Sequence, residues 1–352
     1  MHTQLPYRLV IMLQTAKVFR IGALWLVGCL ISATAIIACN THPDAPATTA
    51  GHFQVALLTP GPVSDAGWNA AAFDGLQLIK QQLNAETARV QTTSPADFDD
   101  AFRDFASRGF NLIFAHGFEY TDAALNAGRD FPRTIFVVTS GSASSANVAS
   151  LTFMIEQAAY VEGVLAGTMS KTGVAGAVGG IELPAIRLTF DGFKRGFQSV
   201  RPNGRVLMSF IGSFDDVGAA KEASLAQISQ GADMLFHDAD AAGLGVFEAA
   251  GQAHIYAFGA NRNQNNVAPD VVLASAVTSI PQAFLRIATE VKSGSFHPGM
   301  IEFGMKDGMV HVVLNPHLEA RIPPAAMEQV RRAENDIEAG KIVLNSRPAA
   351  GS

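Results

Sequence analysis

Four side chains able to stack or to hydrogen-bond fall within nine residues. They are Asp65, Trp68, Asn69 and Phe73, in the stretch GPVSDAGWNAAAFDGLQLIK, Gly61 to Lys80. An Asp offers a carboxylate acceptor, and an Asn amide offers donor and acceptor together, which suits the edge of a purine or a sugar hydroxyl. Aromatic faces stack on planar rings. Such a set can hold a flat polar molecule without making or breaking a covalent bond. The stretch follows directly on the apolar run FQVALLT and leads into a helical pattern. A turn that only reverses the chain needs Gly and Pro, not two aromatics and two polar groups. Two roles stand open for Asp65: a helix N-cap, worth about 1 kcal/mol, or an acceptor for a ligand. Trp68 and Phe73 are five residues apart and fall on different helical faces, so one of them is expected in the core.

Polar turns follow other apolar runs. His116-Gly117-Phe118, Thr139-Ser140-Gly141-Ser142 and Gly179-Gly180-Ile181-Glu182 are three. HDADAAGLG, with Asp238 and Asp240, and GANRNQNN, with Asn261 and Asn263, are two more. His237, Asp238 and Asp240 are all metal-ligating types, but a sequential H-D-x-D chelates poorly without a distant partner, so no metal and no cofactor is expected. No GxSxG surrounds a serine, GVAGAVGG lacks GxGxxG spacing, and there is no GxxxxGK[ST]. Enzymatic chemistry is therefore not expected.

These turns need elements to carry them. Strands are predicted at FQVALLT, ARVQTT, NLIFAHG, RTIFVVT and NVASLTF, separated by helices at Gly67 to Leu83, Ala96 to Ser107 and Tyr120 to Gly128. A helix at Glu156 to Ser170 follows, and then the rhythm restarts. Strands GVAGAVGG, RVLMSFIG, DMLFHD and HIYAFG alternate with helices Pro184 to Val200, Val217 to Gln230 and Gly243 to Ala250. Two βαβ series in tandem predict an α/β protein of two lobes, each a parallel sheet flanked by helices. Beyond them come a strand VVLASAV, a helix Pro281 to Ser293, a hairpin in MIEFGMKDGMVHVVLN turning at Asp307-Gly308, and a helix Pro324 to Gly340. This tail is too small for a third lobe and is expected to return to the first. A chain that crosses repeatedly between lobes makes a hinged cleft, and ligands in α/β sheets sit outside the carboxyl ends of strands.

The chain has 352 residues, 48% hydrophobic, enough for two cores, and a formal net charge of -6. Without a Lys/Arg cluster, nucleic acid is not an expected partner. The N-terminus differs: Arg8, Lys17 and Arg20 precede the uncharged run Ile21 to Ala38, which ends at Cys39. This is the order of a secretory signal. An uncleaved anchor is the alternative, since 18 apolar residues can just span a bilayer. The ending IIAC resembles a bacterial lipobox, in which Cys39 would carry the lipid; LVGC, ending at Cys29, fits less well because the apolar run continues past it. Both cysteines of the chain lie here, so the body has neither disulfides nor thiol ligands. The expected organisation is a signal peptide at 1–38, a lipidated Cys and flexible tether at 39–52, a first lobe at 53–152, a second at 153–276, and at 277–352 a return to the first lobe with a C-terminal helix.

Several stretches together resemble the basic membrane protein family, which includes purine-nucleoside receptor lipoproteins. They include PVSDAGWNAAAFDGL, EQAAYVEGVLAGTMSKTGVAGAVGG, VGGIELPAIRLTFDGFKRGFQSV, IGSFDDVGAAKEAS, ISQGADMLF with AGLGVFEAA, IYAFGANRNQ and EFGMKDGMVHVVLN, in family order from about Phe53 to Leu344. The resemblance implies a type I periplasmic-binding-protein fold and a solute-binding role in an ABC importer, with a nucleoside held between aromatics. It implies ligand contacts at Asp65, Asn69 and Phe73, and at Trp68 where the family usually has Phe. Phe118, Asp238 and Asp240 are carried as further candidates at strand ends. Ser140, Asn261 and Asn263 stand where the family commonly has acids, and Thr278 where it has Lys. These departures put the nucleoside's identity in doubt and leave a free base open.

The expectation is thus a lipid-anchored solute-binding protein of the bacterial envelope, facing the periplasm or the outside. It would be monomeric, with a nucleoside or nucleobase as ligand and an ABC permease as partner. A sensing lipoprotein that signals to a membrane partner, and a nucleoside hydrolase, are the alternatives.

Overall fold

Short apolar runs between turn residues become strands, and amphipathic runs between them become helices, over residues 52–65 and 67–344, which the computed structural model describes. The signal segment, Cys29, Cys39 and nearly all of the tether lie outside the described residues. In the first half, β1 (Gln54–Thr59), β2 (Glu86–Gln91), β3 (Leu112–His116), β4 (Ile135–Thr139) and β5 (Val148–Phe153) alternate with α1 (Trp68–Leu83), α2 (Pro95–Ser107) and α3 (Thr121–Asp130). The chain then runs through α4 (Ile155–Met169), β6 (Val174–Gly179), α5 (Pro184–Val200), β7 (Arg205–Phe210) and α6 (Val217–Ser229). It continues through β8 (Met234–Asp238), α7 (Gly243–Ala253), β9 (Tyr256–Asn261) and β10 (Val272–Thr278). The last elements are α8 (Ile280–Ser293), β11 (Met300–Phe303), β12 (Val310–Leu314) and α9 (Pro324–Glu338).

The strands form two six-stranded sheets, β11-β5-β4-β3-β1-β2 and β12-β10-β9-β8-β6-β7. Every pairing is parallel except β10 with β12. Parallel strands covered on both faces read as continuous apolar runs: β3, β5, β6 and β8 are buried at every residue. This is the predicted two-lobed α/β architecture.

The tail departs from expectation. The hairpin at Asp307-Gly308 does not form. β11 lies parallel to β5 in the first sheet, and β12 lies antiparallel to β10 in the second. The segment between them is tied to the start of α4: Met305 donates its backbone N–H to Gln157 Oε1 at 2.8 Å, and Met154 donates to the Phe303 carbonyl at 2.8 Å. Asp307 caps Gly304 N–H at 3.1 Å and closes a 3-10 turn instead of a strand turn. Residues after 277 are therefore shared. α8 packs on α1 and β11 joins the first sheet, while β12 joins the second and α9 packs on α4. The chain crosses between sheets after β5, after β10 and after β11.

In the second lobe α4 and α5 meet backbone to backbone. A Cβ on Gly163 would collide with the Phe193 carbonyl, and one on Gly196 with the Tyr160 carbonyl. This close approach holds α4 hard against its neighbours, which matters for Glu162 below.

Candidate functional site

The strand ends that face one another carry the polar groups. Asp65 sits in the turn after β1, and its carboxylate is fully engaged. Oδ1 accepts from the N–H groups of Gly67 (3.0 Å) and Ala70 (2.9 Å), and Oδ2 accepts from the Asn69 N–H (2.8 Å) and from Asn69 Nδ2 (2.8 Å). With two bonds to each oxygen, Asp65 is a cap for the start of α1 and not a free acceptor, which decides between the two roles left open by the sequence. Its bond to the Asn69 amide also orients that side chain. Asn69 is 9% exposed, and its Oδ1 is buried without a hydrogen-bond partner.

Trp68 lies flat on His116, the last residue of β3, with ring centroids 4.1 Å apart and planes 22° from parallel. His116 Nε2 lies 3.1 Å from the Trp68 carbonyl, so it carries the proton and donates; Nδ1 then accepts from Thr139 Oγ1 at 2.9 Å. Burial pushes the imidazole down to about 3, so it stays neutral. Phe284 of α8 stands edge-on to His116 and stacks on Phe114. Trp68 is thereby backed by a rigid column. Phe73 is placed apart from it: Arg89 of β2 covers its ring at 5.5 Å, and it packs against the core of the first lobe. Of the two aromatics, Trp68 is the one at the strand ends.

The second sheet supplies a chain of polar contacts across three adjacent strand ends. Asn261, ending β9, donates from Nδ2 to Asp238 Oδ1 at 3.0 Å, and Thr278, ending β10, donates from Oγ1 to the Asn261 carbonyl at 3.1 Å. Burial raises Asp238 to about 6, against the opposing pull of Asn261 and the Thr189 hydroxyl. Although the sequence suggested neutral groups at 261 and 278, Asp238 puts a carboxylate one strand over.

Asp240 reaches the other lobe. A Cβ on Gly67 would lie 2.7 Å from its Oδ1. Burial, and then the charges of Asp238 and Asp65, push the Asp240 carboxyl up to about 7, while the Trp68 N–H facing it lowers it. Arg262, just after β9, adds a second contact between lobes, 3.1 Å from Asp74 of α1. This pair is exposed and contributes little stability, but it shows which faces meet.

Among the described residues five non-glycine residues have positive φ. Asn84 and His254 end helices. The other three are Ser140 (56°), Asp240 (45°) and Asn261 (66°), all at or just beyond strand ends of the cleft. Left-handed backbone costs of order 1 kcal/mol or more for such residues and gathers at functional sites. The Ser140 N–H donates to the Leu151 carbonyl at 2.7 Å, which fixes that strained turn. Phe118 is 53% exposed on the 3-10 turn after β3.

His237 is not free for a metal. Its Nε2 donates to Gln264 Oε1 at 2.9 Å, and its Nδ1 accepts from the Ala239 N–H at 3.3 Å. Among the described residues no three His, Cys, Asp or Glu side chains converge as a metal site. Two residues at the strand ends escaped the sequence reasoning. One is Arg262. The other is Phe214, after β7, which packs directly over Gly180 and accepts Ala242 N–H at its carbonyl at 2.9 Å. An aromatic in a Ser/Asp-rich loop just after a strand is the signal that could have found Phe214.

Comparison with known proteins bears on the family and the fold. A family model described as ABC transporter substrate-binding protein PnrA-like matches residues 53–347. The purine-binding protein of Brucella abortus is 29% identical over 263 residues, covering 73% of this chain and 74% of its own. The ABC transporter nucleoside-binding protein BmpA of Lactococcus lactis is 27% identical, covering 90% of this chain and 97% of its own. Among solved structures, an ABC transporter solute-binding protein from Aeropyrum pernix superposes with a TM-score of 0.75 at 19% identity, over 84% of this chain and 94% of that one. This last likeness shows the fold, that of periplasmic-binding-protein-like solute-binding proteins.

Proposed function

This chain belongs to the Bmp family of PnrA-like ABC transporter substrate-binding proteins, and on that premise we propose that it closes its two lobes over a purine nucleoside or a related nucleobase and delivers it, as a monomer, to an ABC permease. The observation that carries the reading is that Trp68, backed by His116, stands at a strand end of the first sheet while the Asp238–Asn261–Thr278 chain stands at strand ends of the second. One side offers a flat apolar face and the other a row of polar groups, which is what a base with a polar edge requires. The work is differential affinity of open and closed states for ligand, with no covalent step.

The sugar contributes little in this reading. One N–H of Asn261 Nδ2 is spent on Asp238 and the Thr278 hydroxyl on the Asn261 carbonyl, so of these two side chains only the second, uncharged Asn261 N–H is left to donate to a ribose. A free base or deoxynucleoside is expected to bind within about tenfold of the ribonucleoside, a difference of about 1.4 kcal/mol. Trp68→Ala is expected to weaken all of them about tenfold or more, by analogy with base-stacking platforms. Phe73→Ala is expected to lower stability more than affinity. Calorimetric titration of base, deoxynucleoside and ribonucleoside into the three proteins checks this. A hundredfold preference for the ribonucleoside, or an unchanged Trp68→Ala, sinks it.

Among the described residues no helix is long and apolar enough to cross a membrane. In our reading the body is held at the outer face of the bacterial membrane by a lipid on Cys39. Cys39→Ser should leave unprocessed precursor on a gel of the cell membrane fraction. Normal processing of that variant, with Cys29→Ser blocking it instead, moves the anchor to Cys29.

A further inference from the structure

The first turn of α1 lies where the other lobe approaches, with Asp240 Oδ1 2.7 Å from where a Gly67 Cβ would stand, and an unoccupied helix start attracts anions through its free N–H groups and the helix dipole. Here protein carboxylates occupy it. Asp65 takes the N–H groups of Gly67, Asn69 and Ala70. The remaining one, of Trp68, faces Asp240 from the other lobe. Asp240 holds this place at a backbone cost, with φ at 45°, where glycine would sit without strain. An independent observation points the same way. Asn69, in the same turn, keeps a buried Oδ1 without a partner, and only a hydrogen-bond donor can satisfy it. A phosphate dianion brings acceptors and no donor.

We propose that Asp240 is a specificity-determining residue that makes the cleft reject phosphorylated ligands, by setting a carboxylate of its own against the start of α1, where a ligand anion would have to sit. This rests on reading the cleft as a nucleoside or nucleobase site. A ligand anion there would meet Asp240, with Asp65 and Asp238 beside it and Asp215 near, and would find the N–H groups of Gly67, Asn69 and Ala70 already taken. A neutral ligand with N–H groups on its edge meets acceptors instead.

The test compares wild type with Asp240→Gly and Asp240→Asn at pH 8.5. Glycine clears the side chain from the start of α1, removes the charge and relaxes the backbone; asparagine tolerates the left-handed conformation and removes the charge alone. Three probes are titrated by calorimetry: a purine nucleoside, its 5′-monophosphate, and inorganic phosphate. Wild type is expected to bind the monophosphate at least a hundredfold more weakly than the nucleoside. Asp240→Gly is expected to gain tenfold or more for the monophosphate relative to the nucleoside and to show measurable phosphate binding. Asp240→Asn should fall between. Wild type binding monophosphate and nucleoside alike overturns the proposal, as does Asp240→Gly gaining neither monophosphate nor phosphate. If no nucleoside or base binds wild type, the nucleoside reading fails by itself. The phosphate titration of the folded variants then still decides the role of Asp240.

Discussion

Replacing Glu162 by Met is expected to raise the unfolding temperature at pH 7.5 by about 5–10 °C and to remove most of a loss of stability that sets in as pH rises above 4.5. Glu162 lies on α4, 0% exposed, and neither carboxyl oxygen makes a hydrogen bond. Burial pushes its pKa well above the usual 4.5; the Ala276 backbone, near the carboxyl but outside hydrogen-bond geometry, is the one group pulling the other way. The folded protein therefore keeps the proton while the unfolded chain gives it up above 4.5. Stability from this group is unaffected below that value and falls by up to about 1.4 kcal/mol for each pH unit above it, until the folded pKa is reached. Met matches the shape without a polar group to strand, and removing a buried polar group that has no partner is worth about 1–3 kcal/mol, beyond the cost of holding the proton at pH 7.5. Glu162→Gln separates the two costs: it should abolish the pH slope and keep the penalty of an unpaired polar group. His116 and His237, pushed down by burial to about 3 and about 4, act in the opposite sense, losing stability as pH falls below 6.5. Differences between variant and wild type at pH 5 and 7.5 isolate Glu162. A variant less stable than wild type at pH 7.5 would mean that the carboxylate is satisfied after all.

Glu162 was readable in principle. Ala158, Glu162, Leu165 and Ala166 share one face of α4, so a helical period places the acid among apolar residues. What the sequence cannot show is whether a partner reaches it, because that depends on β10, far along the chain. The same division holds elsewhere. α5 is legible to the residue, Pro184 to Val200, since Pro opens it and its amphipathic period runs unbroken. β11 and β12 are legible as strands but not as members of different sheets, because a short strand carries no label for its partner; the contact of Met305 with Gln157 decides it. At the site, the turn after β1 announced itself by composition, while the bonding of Asp65 depends on side-chain conformation. Asp240 looked like one acid among several in a polar loop. Its placement against Gly67 and Trp68 exists only once the lobes meet. The pairing of Asp238 with Asn261 likewise shows that Asn261→Asp would set two carboxylates against each other, which the comparison of single positions could not foresee.

Asp65 offers the sharpest test of the cleft wall, because its two oxygens do separable work. Asp65→Ala leaves the N–H groups of Gly67, Asn69 and Ala70 and the Asn69 amide without their acceptor. Losing a cap and stranding donors together is expected to cost about 2–4 kcal/mol, and affinity should fall with it because Trp68 and Asn69 sit in the turn that collapses. Asp65→Asn is gentler and more informative. Its remaining oxygen can keep the bonds to Gly67 and Ala70, so the expected stability loss is about 1–2 kcal/mol. Its new amide N–H₂ then faces Asn69 Nδ2, donor against donor. Rotating the Asn69 amide by half a turn relieves that clash, though the Asn69 backbone N–H stays opposed to the new amide, and it replaces the buried, unpartnered Oδ1 with an N–H₂ group. A ligand donor that had met an acceptor would now meet a donor, a mismatch of about 1–3 kcal/mol, or roughly tenfold to a hundredfold in affinity. Thermal unfolding and calorimetric titration of both variants give the two quantities independently. If Asp65→Asn binds base and nucleoside as wild type does, Asn69 Oδ1 does not face the ligand, and the turn after β1 serves only to start its helix.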